Sequence, residues 1–152
     1  MAFSRRLVTL ALAAAAALGL ATVAGARTGG PVPSGATASV TALRQAYLDG
    51  VKARKPEALA ALYDLSTVPA ADRAEFYKFE FGDLDQVTDA TIIEPDPHVL
   101  ATFKESHVRL SRPVVKMLKI SLRVPKGQSL TTDWLIAMQQ GRYFFILAEP
   151  PR

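Results

Sequence analysis

The chain has 152 residues, 49% of them hydrophobic, with 18 basic side chains, 14 acidic ones and no cysteine. That length suits one domain, and the missing cysteine excludes disulfides, thiolate nucleophiles, iron–sulfur clusters, thiolate zinc sites and a bacterial lipoprotein anchor. A net charge of +4 with a pI near 9.6 is too mild to indicate nucleic-acid binding.

Met1 to Arg6 is a short basic head, followed by an uncharged, alanine-rich run from Leu7 to Ala24 and small residues at Ala24-Gly25-Ala26. This is the pattern of a secretory signal peptide spanning 1–26 and cut after Ala26, so a periplasmic or secreted protein is expected. The competing reading is a retained membrane anchor, since 18 apolar residues can just span a bilayer. After cleavage, contact with a membrane through this segment ends. Arg27 to Thr37 is rich in Gly and Pro, lacks apolar periodicity and reads as a flexible linker. The domain proper is expected over 38–152.

Ser39 is a candidate N-cap, and Val40, Leu43, Tyr47 and Val51 recur at helical spacing, predicting a helix to about Lys55. Pro56 suits the first turn of a second helix with Leu59, Leu62 and Tyr63 on its apolar side. Ala70 to Phe79 reads as a short third helix carrying Phe76, Tyr77 and Phe79, stopped by Gly82. Val87 to Glu94 and Val114 to Val124 are rich in β-branched residues and predict strands. In the second, Leu118, Ile120 and Leu122 share one face, and Lys119, Ser121 and Arg123 the other. Pro97 to Ser111 fits either a helix capped by Asp96 or an irregular strand.

Ser129 to Gln139 and Arg142 to Glu149 flank Gln140-Gly141 and predict a hairpin. A two-residue turn puts Trp134, Ile136, Met138, Tyr143, Phe145 and Leu147 on one face, with Asp133, Leu135, Ala137, Phe144, Ile146 and Ala148 on the other. Both faces are apolar, so something beyond one helical layer must cover the second: a partner subunit, the carboxy-terminal tail or a ligand.

Leu43-Arg44-Gln45-Ala46-Tyr47, Pro56-Glu57-Ala58-Leu59-Ala60-Ala61-Leu62-Tyr63, Trp134-Leu135-Ile136 and Gly141-Arg142-Tyr143-Phe144, in that order, resemble the nuclear-transport-factor-2-like superfamily. That group includes the ketosteroid isomerases and SnoaL-like cyclases. The resemblance implies an α+β fold in which a curved antiparallel sheet wraps around N-terminal helices as a cone-shaped, cystatin-like roll. It also implies a pocket for a small apolar ligand and a homodimer formed through the sheet's outer face. Tyr47, Tyr63, Asp133, Leu135 and Phe144 are then the expected pocket residues, and Trp134, Ile136, Met138, Tyr143 and Phe145 the expected dimer or outer face. Tyr47 and Asp133 match the positions of the isomerases' two oxyanion donors, and burial beside Leu135 and Phe144 would raise Asp133 toward its neutral form. The general base is missing, because Leu65 to Ala71 contains no carboxylate and Asp64 and Asp72 flank it out of register. The expectation is therefore a binding domain without catalysis, with an isomerase or cyclase using Tyr47 and Asp133 as the alternative.

No cofactor is expected. His98 and His107, the only imidazoles, are nine residues apart and fall on opposite faces of either regular element, so no metal site is expected. Charge is uneven along the chain. Residues 27–96 carry 7 basic and 11 acidic side chains, whereas 97–152 carry 9 and 3. Arg109, Arg112, Lys116, Lys119, Arg123 and Lys126 concentrate the excess and read first as a solvated sheet face, second as a surface for anionic partners in a structural envelope module.

Overall fold

The computed structural model describes residues 30–82, 84–123 and 129–149, so the expected signal peptide lies outside the described residues. Ser39 caps the first helix: its backbone is extended and its hydroxyl accepts the Ala42 N–H at 3.1 Å. Helix α1 spans Val40–Ala53 and closes on Arg54, whose left-handed backbone (φ 52°) lets its N–H reach back to Gly50 and Val51. Leu43, Tyr47 and Gly50 form its buried stripe. Glycine at position 50 leaves room for Leu59: a Cβ there would stand 2.7 Å from Leu59 Cδ2 and force that buried side chain to shift.

Helix α2, Pro56–Ala60, starts on the expected proline and buries Leu59. Tyr63 is not on that helix. The Phe145 N–H donates to the Leu62 carbonyl at 2.9 Å, and this pairing draws Tyr63–Asp64 into a short strand, β1. A 3₁₀ turn at Ala70–Asp72 leads into α3, Arg73–Glu80. There follow β2 (Val87–Ile93), α4 (Pro97–Glu105), β3 (Arg109–Leu110), β4 (Lys116–Arg123), β5 (Ser129–Gln139), β6 (Arg142–Ile146) and β7 (Ala148–Glu149). The open question over 97–111 resolves as a helix and then a two-residue strand. The Asp96 side chain accepts the His98 N–H at 2.8 Å and starts α4 with Pro97 in its first turn.

The fold is α+β. Five strands pair in the order β1-β6-β5-β4-β2, with β1 parallel to β6 and the other pairs antiparallel; β3 and β7 form a separate pair. The hairpin has the two-residue turn expected from Gln140-Gly141. Gln139 pairs with Arg142 and Ile136 with Phe145, and positive φ at Gln140 (51°) and Gly141 (69°) matches the twist of the flanking strands.

That register fixes two core layers. On one face Ile136, Phe145, Leu118, Ile120 and Leu122 pack against Leu43, Tyr47 and Leu59 of the N-terminal helices. On the other, Leu135, Ala137, Phe144, Ile146 and Met117 pack against Phe103 of α4 and Ala36. The second apolar face is therefore covered from within the chain, by α4 and by residues preceding α1, with no partner subunit needed.

Part of that cover corrects the linker expectation. Residues 30–37 are docked, not loose: the Gly35 N–H donates to the Ala61 carbonyl at 2.9 Å, Thr37 bridges to Tyr143, and the Arg142 guanidinium donates to the Ala36 carbonyl. Ala36 is 2% exposed. The Gly and Pro content that suggests flexibility serves close approach, since a Cβ at Gly35 would stand 2.7 Å from the Ala61 carbonyl oxygen.

Candidate functional site

Four elements of the helix-covered layer bring hydroxyl, indole and carboxyl groups together inside an aromatic cluster. α1 supplies Tyr47, β1 supplies Tyr63, the end of α3 supplies Glu80 and β5 supplies Trp134. Tyr63 is the hub. Its ring stands 5.0 Å from Phe145, 5.7 Å from Trp134, 5.7 Å from Phe81 and 6.3 Å from Phe76, three of these contacts being edge-on. Tyr47 meets Phe145 edge-on at 5.8 Å.

The polar atoms in this cluster are poorly matched. Tyr63 is 3% exposed and its hydroxyl has no hydrogen-bond partner; the Trp134 Nε1–H is likewise buried without one. Each such group costs about 1–3 kcal/mol unless a water or a ligand satisfies it. Burial, with the charge of Glu80 adding, raises both tyrosine hydroxyls well above their ordinary range, so they remain neutral donors. The Trp134 indole offsets part of that shift at Tyr47, without reaching normal hydrogen-bond geometry. Burial also pushes the Glu80 carboxyl up to about 7, with no basic group opposing it.

Glu80 is the residue that sequence reasoning missed. The signal was present: it follows Phe76 by four residues and Tyr77 by three, which puts a carboxyl on the aromatic face of α3.

Of the expected pocket residues, Tyr47 and Tyr63 come together and the others do not. Strand alternation sets Asp133 on the face of Leu135 and Ala137, while Trp134 and Ile136 face the helices with Tyr47. The sheet itself separates Tyr47 from Asp133, so the two cannot share one oxyanion. Leu135 and Phe144 belong to the second core layer with Asp133. Burial does raise the Asp133 carboxyl, in the expected direction, against Lys119 and with Asp96 adding. The expected outer face also changes: Ile136 and Phe145 are 1% and 0% exposed beneath the helices, and Trp134 and Tyr143 pack there too. Met138, at 47%, is the exposed member of that set.

Asp64 and Arg112 form a second buried polar group, and here both carboxylate oxygens and two guanidinium nitrogens are matched. Arg112 Nε donates to Asp64 Oδ2 at 2.9 Å and Nη2 to the Gly30 carbonyl at 2.7 Å, and the guanidinium lies 5.0 Å from the Phe144 ring centroid. Ser66 N–H donates to Asp64 Oδ1 at 3.1 Å. Burial alone would raise the Asp64 carboxyl, but the bonds from Ser66 and Arg112 outweigh it and hold the group below its ordinary value. Arg112, 6% exposed, therefore belongs to the interior and not to the solvated basic face. This pair fastens β1 to the residues that precede α1.

Among the described residues no group of three His, Cys, Asp or Glu side chains could hold a metal ion, and no helix is long and apolar enough to cross a membrane. No family model, curated protein or solved structure matches the chain.

Proposed function

We propose that this chain is an exported, non-catalytic binding domain of the nuclear-transport-factor-2-like type, which holds a small apolar molecule bearing one hydrogen-bonding oxygen. The export reading rests on the basic head, apolar run and Ala24-Gly25-Ala26 of the first 26 residues. The fold reading, a cone of sheet around N-terminal helices, rests on the order of helices and strands and on the helical layer over one sheet face. One observation carries the binding reading. Tyr63 Oη and Trp134 Nε1 are both buried without partners in a layer otherwise made of aromatic rings. Small-molecule sites combine mostly apolar and aromatic side chains with a few placed polar groups, and these two atoms in their aromatic layer match that composition. Trp134 is the only tryptophan, so its emission reports on the site alone. Titration with 3,3-dimethylbutan-1-ol is expected to shift that emission saturably, and Tyr63→Phe to weaken the response several-fold. An unchanged emission spectrum would overturn the reading.

A second reading is favoured by Glu80. A carboxyl titrating at about 7 beside two neutral tyrosine donors is suited to moving a proton next to a carbonyl group. This is the isomerase-type alternative with Glu80 and Tyr63 in place of Asp133. It requires solvent deuterium to enter the α-position of a simple ketone such as cyclohexanone, and Glu80→Gln to stop it.

A further inference from the structure

Glu80 has a neighbourhood that suits a particular ligand charge. It ends α3, its side chain is half-buried, and among the described residues it makes no hydrogen bond and no ion pair. Its neighbours along the chain include three rings. Phe76 and Tyr77, also half-buried, share its helical face, and Phe81 follows it in the chain. Phe76, Tyr77 and Phe81 lie 5.9–6.0 Å from one another, and Phe76 and Phe81 both reach Tyr63. Aromatic faces carry negative potential and attract cations most strongly where water is excluded. A carboxylate beside such rings, with no ion-pair partner among the described residues, offers a place for a positive charge.

The surroundings point the same way. Residues 27–96, which contain α1, α2, β1 and α3, carry 11 acidic and 7 basic side chains, an excess that favours cations over anions. The basic excess of the chain lies in residues 97–152. Of those, Arg112 is committed to Asp64 and Lys116 to Glu94, so neither is available to Glu80.

We propose that the molecule held at this site is an organic cation, an alkylammonium compound with a hydroxyl or ether oxygen, with Glu80 as its counter-ion and the rings of Phe76, Tyr77 and Tyr63 against its alkylated nitrogen. The Tyr63 hydroxyl and the Trp134 indole N–H take the oxygen. The inference rests on the binding reading above and adds the ligand's charge to it. The cation supplies the counter-charge that none of the described residues gives Glu80.

The test compares two probes of nearly equal shape, choline and its neutral isostere 3,3-dimethylbutan-1-ol, titrated into the full chain at pH 8 with Trp134 emission as the readout. Choline is expected to act at a concentration at least tenfold lower than the alcohol, because it adds an ion pair and cation–π contact to the same hydroxyl. Glu80→Gln is expected to remove that advantage, so that the two probes act at similar concentrations. Equal responses to the two probes in the unaltered chain would overturn the cationic ligand while the binding site stands. No response to either would overturn both. Neither comparison depends on the variant folding.

Discussion

Tyr63 and Asp64 are neighbours in β1, both 3% exposed, yet they serve opposite sides of the sheet. Tyr63 pairs with Phe145 and turns its ring into the aromatic cluster under the helices, while Asp64 pairs with Ile146 and meets Arg112 beside Phe144. Period-two alternation in a strand of only two residues thus joins the candidate site to the bond that fastens the chain's early residues. Because Arg112 also holds the Gly30 carbonyl, the ion pair ties β1 to the residues that precede α1.

Asp64→Ala is expected to lower stability by about 3–5 kcal/mol, because it leaves the Arg112 guanidinium buried without its counter-charge. The double variant Asp64→Leu with Arg112→Met should recover most of that loss, as apolar side chains replace both charges. Urea denaturation of the two variants checks this. The pH dependence has a definite sign. The folded-state carboxyl is held below its ordinary value of 3.8, so its contribution is complete above that value and is lost as pH falls through the lowered one.

Glu80 has the opposite sign. Burial raises it from 4.5 to about 7, so the folded chain keeps this proton where the unfolded chain releases it. Stability therefore falls as pH rises from 4.5 to 7 and stays lower above that. Glu80→Gln is expected to be nearly neutral at pH 4 and stabilising by about 1–2 kcal/mol at pH 8, after allowance for partial exposure. Denaturation midpoints at the two pH values measure it, and a difference that does not change with pH would refute it.

Removal of residues 1–36 should cost at least about 2 kcal/mol relative to removal of residues 1–29, or about 6–10 °C in Tm. The shorter deletion keeps the Gly35 and Ala36 contacts and the Gly30 carbonyl under Arg112; the longer one loses all three. A flexible linker would give equal melting temperatures for both. Calorimetry distinguishes the two cases.

Phe103→Ala tests the covering of the second sheet face. Phe103 is 1% exposed against Leu135, Phe144 and Met117, and its truncation should destabilise the fold by about 3–5 kcal/mol. If a partner subunit covered this face instead, the variant would change association and leave unfolding of the separated chain unaffected.

The hairpin was readable because its information is local. Gly141 marks the turn, and alternation from Trp134 to Leu147 then assigns every side chain to a face. The Ser39 cap and Pro56 start were readable for the same reason. What covers the second face was not, since Asp96-Pro97 fits a helix cap or a strand, and the docking of residues 30–37 depends on Ala61, Arg112 and Tyr143, far along the chain. The site was readable in part. Tyr47 and Tyr63 sit on apolar patterns, but pairing Tyr47 with Asp133 ignored which face Trp134 takes once the hairpin register is set. Glu80 is hard to single out because a glutamate at the end of a short helix ordinarily faces solvent, and only its burial in the fold makes it unusual.

The central claim is that the buried, unpartnered Tyr63 hydroxyl and Trp134 indole N–H are the polar contacts of a ligand site. With one tryptophan in the chain, an ¹⁵N-labelled sample has a single indole N–H cross-peak. On addition of 3,3-dimethylbutan-1-ol or choline, that peak is expected to move saturably as its N–H gains an acceptor, with a response several-fold weaker in Tyr63→Phe. A peak that stays fixed up to saturating probe would contradict the claim.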